Sequence, residues 1–100
     1  MDEELKKVVN ANPLVLVDFY ADWCEPCKLV VPVLDEVLSH FDGKIVLHKV
    51  DIDKRQEVAR SFTILSVPTL MLFKNGHEVW RMRGFEVPKD LIRSLSAHVA

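Results

Sequence analysis

The sequence predicts an α/β domain, a four-stranded mixed sheet with four helices on its two faces. Three observations predict it. Runs rich in Val, Ile and Leu alternate with amphipathic stretches, the pattern of strands buried beneath helices. These segments follow one another as α-β-α-β-α-β-β-α. Asn75-Gly76 separates the last two apolar runs, and its tolerance of positive φ suits a two-residue hairpin turn. At 100 residues, 49% hydrophobic and 28% charged, the chain reads as a single domain over residues 1–100.

Asp2 is placed to cap a helix over residues 3–10, with Leu5, Val8 and Val9 on one face. Asn12-Pro13 stops it, because a residue before proline is pushed out of the helical region. Leu14–Tyr20 is apolar except for Asp18, as expected of a central strand covered on both faces. A second helix should follow Trp23-Cys24-Glu25-Pro26 and run to about His40. Pro26 falls in its first turn, where a missing N–H is harmless, while Pro32 lies inside it and predicts a kink.

Asp42-Gly43 turns the chain into a strand over residues 45–52, and Asp53 is a candidate cap for a short helix over residues 54–62. Thr69–Lys74 and His77–Arg83 form the hairpin. Pro88 opens a last helix whose Leu91, Ile92, Leu95 and Val99 make one stripe. The first and second strand-to-strand connections pass through helices, so both are expected to be right-handed crossovers, with the hairpin adding an antiparallel edge.

The 13 Lys and Arg against 15 Asp and Glu leave a net charge of -2, without the basic excess that a phosphate backbone demands; nucleic acid is not an expected partner. Apolar runs such as residues 14–17 and 29–34 are far shorter than the ~20 residues that cross a bilayer, so no membrane partner is expected. The acidic start, Met1-Asp2-Glu3-Glu4, lacks the form of a secretory signal. A cytoplasmic monomer is the expectation.

The two cysteines, Cys24 and Cys27, have three chemical readings. A staple is weak, since closing so short a loop yields only ~2 kcal/mol. A zinc site lacks further ligands: no second Cys pair exists, and His40, His48, His77 and His98 have no ligand spacing, so no metal is expected. A redox couple has physical support. Residues three apart on a helix are near disulfide reach, so the bond can open and close with little movement. A helix N-terminus beside Cys24 favours its thiolate, the nucleophilic form. Cys27, one turn further in, is expected to be less exposed and to resolve; Pro26 stiffens the loop. Glu25 opposes a second negative charge on Cys24, which makes the couple more reducing than with Gly there.

The segment Phe19-Tyr20-Ala21-Asp22-Trp23-Cys24-Glu25-Pro26-Cys27-Lys28 resembles the active-site segment of thioredoxins, usually W-C-G-P-C-K. The likeness extends over residues 14–100: Val67-Pro68-Thr69 looks like the family's cis-proline segment, Phe73-Lys74-Asn75-Gly76 its hairpin, Gly84 its late glycine and Pro32 its helix kink. The resemblance implies a thioredoxin-like fold trimmed to four strands, lacking the strand that precedes the first helix in common thioredoxins. It further implies a protein-disulfide reductase cycling between a Cys24/Cys27 dithiol and their disulfide, with no bound cofactor. Disulfide-containing client proteins and a thioredoxin reductase, NADPH- or ferredoxin-linked, are the implied partners.

By the same resemblance Asp18 takes the proton from Cys27 with Lys49 as its partner. Pro68 packs against the Cys pair and helps to exclude metal, and Val67 leaves its backbone free for an extended client. Trp23, Glu25, Arg83, Gly84 and Phe85 line the substrate groove. Simpler readings stand beside these: Asp18 as a strand-end carboxylate bonded to backbone, Trp23 as core, Lys49 as a solvated strand residue. Trp80, Met71 and Met82 read as packing residues, and Lys54, Arg55, Glu57 and Arg60 as a solvated helix face.

The chain departs from the family at several positions. Glu25 replaces the loop Gly and Tyr20 a frequent Trp. Thr63 and Ser66 stand where glycines are common, and Arg83 and Phe85 flank Gly84 where small apolar residues are usual. Arg83 is expected to reach Glu25 across a bulkier, more polar groove. Two other functions remain open at this point: a specialised thiol oxidant or isomerase, and a docking subunit that uses the fold without turnover.

Overall fold

The computed structural model describes residues 1–99. Its elements are α1 (Glu3–Ala11), β1 (Leu14–Tyr20), α2 (Glu25–His40), β2 (Val46–Asp51), α3 (Gln56–Ser61), β3 (Thr69–Lys74), β4 (His77–Arg83) and α4 (Pro88–Val99). The four strands lie in the order β2-β1-β3-β4. β1 and β2 are parallel, whereas β3 runs antiparallel to β1 and β4 antiparallel to β3. The second expected crossover is therefore corrected. The handedness rule concerns parallel strands, and β3 enters the sheet in the opposite direction.

Alternation along β1 explains its apolar run. Leu14 and Leu16 point into a core shared with Val30 and Leu34 of α2 and Leu91 and Leu95 of α4. Val15, Val17 and Phe19 point to the other face, against Leu5 and Val9 of α1 and Val58 of α3. Successive side chains alternate between faces, so Asp18 continues the Leu14–Leu16 row and lies on the α2 side. Met71 is buried, and Trp80 and Met82 are half-buried against the α2–α4 core.

The first helix is capped as the sequence predicts, with Asp2 Oδ1 accepting the Leu5 N–H at 2.9 Å. α2 continues through Pro32 to His40. The hairpin turns on Asn75 and Gly76, both at positive φ (51° and 84°), the backbone that Asn-Gly supplies at low cost.

Two expectations change around α3. It starts at Gln56, and Arg55, its N-cap, makes no side-chain cap bond. Asp51, rather than Asp53, ties the preceding turn: its Oδ1 accepts the N–H groups of Asp53 (2.9 Å) and Lys54 (3.3 Å). Nor is Arg55 solvated like Lys54, Glu57 and Arg60. Its guanidinium donates two bonds of 2.7 Å to the Asp2 carboxylate and lies 3.0 Å from His48 Nε2. It thus links α1 to the β2 edge.

Candidate active site

Parallel pairing of β1 and β2 brings their C-terminal ends to one edge of the sheet, and the loops leaving them build the site. The chain leaves β1 at Tyr20 and enters α2 through Cys24, the helix N-cap, in an extended conformation (φ -91°, ψ 108°). Cys24 Sγ accepts the Cys27 N–H at 3.2 Å, satisfying one of the donors a helix start leaves open. The two cysteines form a disulfide with Cα atoms 5.3 Å apart.

Each of the two is 4% exposed. The expectation that Cys27 is the less exposed is therefore corrected for this oxidised form. Both cysteines pack with Ala21 in a small apolar cluster bordered by Tyr20 and Val67.

Val67 and Pro68 approach from the far side. Their peptide bond is cis, and the Val67 carbonyl oxygen lies 3.7 Å from Cys24 Sγ. Gly84 closes this segment from β4, donating its N–H to the Pro68 carbonyl at 2.7 Å. Its φ of 80° is a conformation that only glycine adopts freely. Arg83 pairs in register with Thr69, so it stands at the same end of the sheet. Phe85 packs half-buried against the α2–α4 core. Arg83 does not supply Glu25's partner: Glu25 pairs with Lys28 one helical turn on, at 3.1 Å, the ordinary reach of an i,i+3 pair.

Beneath this surface Asp18 is fully buried, and neither carboxylate oxygen has a hydrogen-bond partner among the described residues. The backbone-bonded reading of this residue fails on that observation. Burial pushes its pKa up to about 6, against the opposing pull of the Lys49 charge. Lys49 is the in-register neighbour of Asp18 on β2, and its ammonium sits over the Tyr20 ring, 4.7 Å from the centroid. A cleft of about 160 Å³ opens here, lined by Tyr20, Ala21, Asp22, Cys27, Lys28, Val31 and Lys49. Two larger hollows, of about 350 and 420 Å³, lie at the opposite end of β1 around Asn12, Pro13 and Asn75, and are lined by none of the candidate residues.

Trp23 is 68% exposed beside Cys24, which removes the core reading. Its indole N–H donates to Asp53 Oδ2 at 2.9 Å. Sequence reasoning missed this role of Asp53, as it missed the Tyr20–Lys49 contact. No local signal marks either pair, because the register of β1 on β2 is what joins them.

A disulfide that closes on the N-cap of a helix beside a cis-proline segment, with a buried carboxyl on the adjoining strand, is an arrangement suited to thiol-disulfide exchange. Comparisons with known proteins agree. The family model described as Thioredoxin matches residues 1–97. The thioredoxin of Mycobacterium tuberculosis is 45% identical over 89 residues, covering 89% of this chain and 77% of that one. The bifunctional thioredoxin reductase/thioredoxin of Mycobacterium leprae is 44% identical over 89 residues, covering 89% of this chain and 19% of its own length. Among solved structures, a mutant thioredoxin from Halobacterium salinarum superposes with a TM-score of 0.90 at 32% identity, covering 100% of this chain and 87% of that one.

Proposed function

This chain belongs to the thioredoxin family and is a thiol-disulfide oxidoreductase acting as a protein-disulfide reductase; on that footing we propose how its residues divide the reaction. The Cys24 thiolate attacks one sulfur of a client disulfide, a mixed disulfide forms, and the client's other sulfur leaves as a thiolate. Cys27 then attacks the Cys24 sulfur while its proton passes to the Asp18 carboxylate. The bond from Cys24 to the client breaks and the Cys24–Cys27 disulfide forms. The client leaves as a dithiol once its sulfurs are protonated, reduced by the two electrons the cysteine pair has lost.

The observation that carries this reading is Asp18, buried, without a hydrogen-bond partner among the described residues and with a pKa of about 6. A carboxylate so poised is ionised at neutral pH yet basic enough to accept a thiol proton at close range. The Val67 backbone beside Cys24 and the exposed Trp23, Glu25 and Arg83 support a groove for an extended client segment, with Pro68 and Gly84 shaping its floor. Pro26, in the first turn of α2, keeps the loop between the cysteines stiff.

A thioredoxin reductase drawing on NADPH or ferredoxin is the proposed donor that reopens the disulfide. The Mycobacterium leprae relative, named for both activities, supports that pairing. We place the protein in the cytoplasm as a single-domain monomer that needs no bound cofactor. Cell fractionation and sedimentation at micromolar concentration test this, and a membrane-associated or dimeric pool would overturn it.

Cys27→Ser halts the cycle after the first attack, so this variant accumulates client proteins on Cys24 in a lysate, released by dithiothreitol. A chain that traps none removes Cys27 from the resolving step. Asp18→Ala slows client release from the mixed disulfide by ~100-fold at neutral pH and leaves the first attack nearly unchanged. Equal release rates would remove Asp18 from the mechanism.

A further inference from the structure

Side chains two apart on a strand share a face, so Asp18 and Tyr20 both lie on the α2 side of β1. Lys49, in register with Asp18 on the parallel neighbour β2, joins them there. Its ammonium lies 4.7 Å from the Tyr20 ring centroid, within the reach of a cation–π contact, and both residues line the cleft that reaches Cys27. Lys49 is otherwise exposed, and a free lysine spreads its charge over the arc its flexible four-carbon stem allows.

We propose that Tyr20 is a positioning residue for the resolving half of the reaction: the face of its ring holds the Lys49 ammonium at the mouth of the Cys27 cleft, within electrostatic reach of Asp18 while the proton leaves Cys27. The inference rests on Asp18 being the proton acceptor. A held cation favours the ionised carboxylate continuously, a wandering one only part of the time. Other charges surround the group. Lys28 and Asp22 line the same cleft, but Lys28 is engaged by Glu25. Arg55, at the start of α3, is engaged by the Asp2 carboxylate. From β3 the register neighbour of Asp18 is the uncharged Leu70, and α2 presents the cysteine pair.

The test is the rate of client release from the mixed disulfide between about pH 5 and 9, where the acid limb reports Asp18 protonation. It is measured in the full chain and in Tyr20→Leu, Tyr20→Phe, Lys49→Met, Tyr20→Leu/Lys49→Met and Asp18→Ala. Lys49→Met moves the limb to higher pH by a few tenths of a unit, and Tyr20→Leu reproduces about half of that shift or more. Tyr20→Phe, which keeps the ring, follows the parent chain. The double variant moves no further than Lys49→Met. Should Tyr20→Leu fail to fold, Tyr20→Gln replaces it, since the site is half-buried and tolerates a polar chain without a π face.

A Tyr20→Leu limb that overlays the parent, an equal shift in the Lys49→Met background, or a Tyr20→Phe limb that moves with Tyr20→Leu each overturns the role of the ring. If the limb persists in Asp18→Ala, the acceptor reading falls and this inference with it. If it vanishes there while Tyr20→Leu overlays the parent, only the role of Tyr20 falls.

Discussion

Trp23 and Asp53, thirty residues apart, are joined by a 2.9 Å hydrogen bond from the indole N–H to a carboxylate oxygen. The bond holds the most exposed ring of the active-site surface against the loop that leaves β2. Being solvent-exposed it contributes about 0.5–1 kcal/mol to stability, so its effect is chiefly on where the ring rests. In Asp53→Ala the Trp23 indole N–H resonance moves and its exchange with solvent quickens, while unfolding in urea changes little. An unmoved resonance would show that the ring is held by something else.

Asp18 makes folding depend on pH in an unusual direction. Its folded pKa of about 6 stands above the ordinary 3.8, so the folded state resists losing this proton. The penalty is absent below pH 3.8, grows as pH rises, and is complete above about pH 6, where it amounts to ~3 kcal/mol. Asp18→Ala therefore raises the urea midpoint at pH 8 and does not raise it at pH 3.5, where only the lost packing registers. A gain of equal size at both values would contradict the burial argument.

The Asp2–Arg55 pair works with the opposite sign. The Arg55 guanidinium holds the Asp2 carboxyl down at about 2, against a desolvation that raises it, so the pair's contribution is present above pH 3.8 and fades as pH falls through about 2. His48, facing Arg55, is pushed below its usual value by burial first and by the Arg55 charge second. Arg55→Ala costs about 1 kcal/mol at pH 7 after allowance for solvent screening. Parallel denaturation of parent and variant from pH 7 to 2 reads the difference, which narrows toward the acid end.

Thr63 occupies the left-handed region at φ 55°, where a β-branched residue is disfavoured by about 1–2 kcal/mol. Asn tolerates that backbone without glycine's extra chain entropy. Thr63→Asn consequently raises the Tm, by up to about 1 kcal/mol of stability. A lower Tm would mean that the Thr63 side chain has a contact worth more than its strain.

Glu25 is exposed and paired with Lys28, which mutes its charge at Cys24. Glu25→Gly stabilises the Cys24 thiolate and so makes the couple less reducing, by ~10–20 mV for an exposed charge. Equilibration with a graded dithiol buffer, read by mass after alkylation, measures it. A shift toward more reducing potentials would reverse the sign of the argument.

What the sequence determined by itself was whatever contiguous residues encode. Leu14–Tyr20 declares a central strand through its apolar run, Asn75-Gly76 a hairpin through its tolerance of positive φ, and Cys24-Glu25-Pro26-Cys27 a redox pair at a helix start. Asp18 was conspicuous as the one charge in a buried strand. The tertiary structure alone decided that β3 runs against β1, that Asp51 rather than Asp53 ties the α3 turn, and that Arg55 leaves the solvated face to clasp Asp2. It alone set Tyr20 under the Lys49 ammonium. Helix caps, turns and strand alternation are set within a few residues by backbone sterics and side-chain period. A pair such as Trp23–Asp53 instead depends on the order and register of strands, which many distant contacts select together.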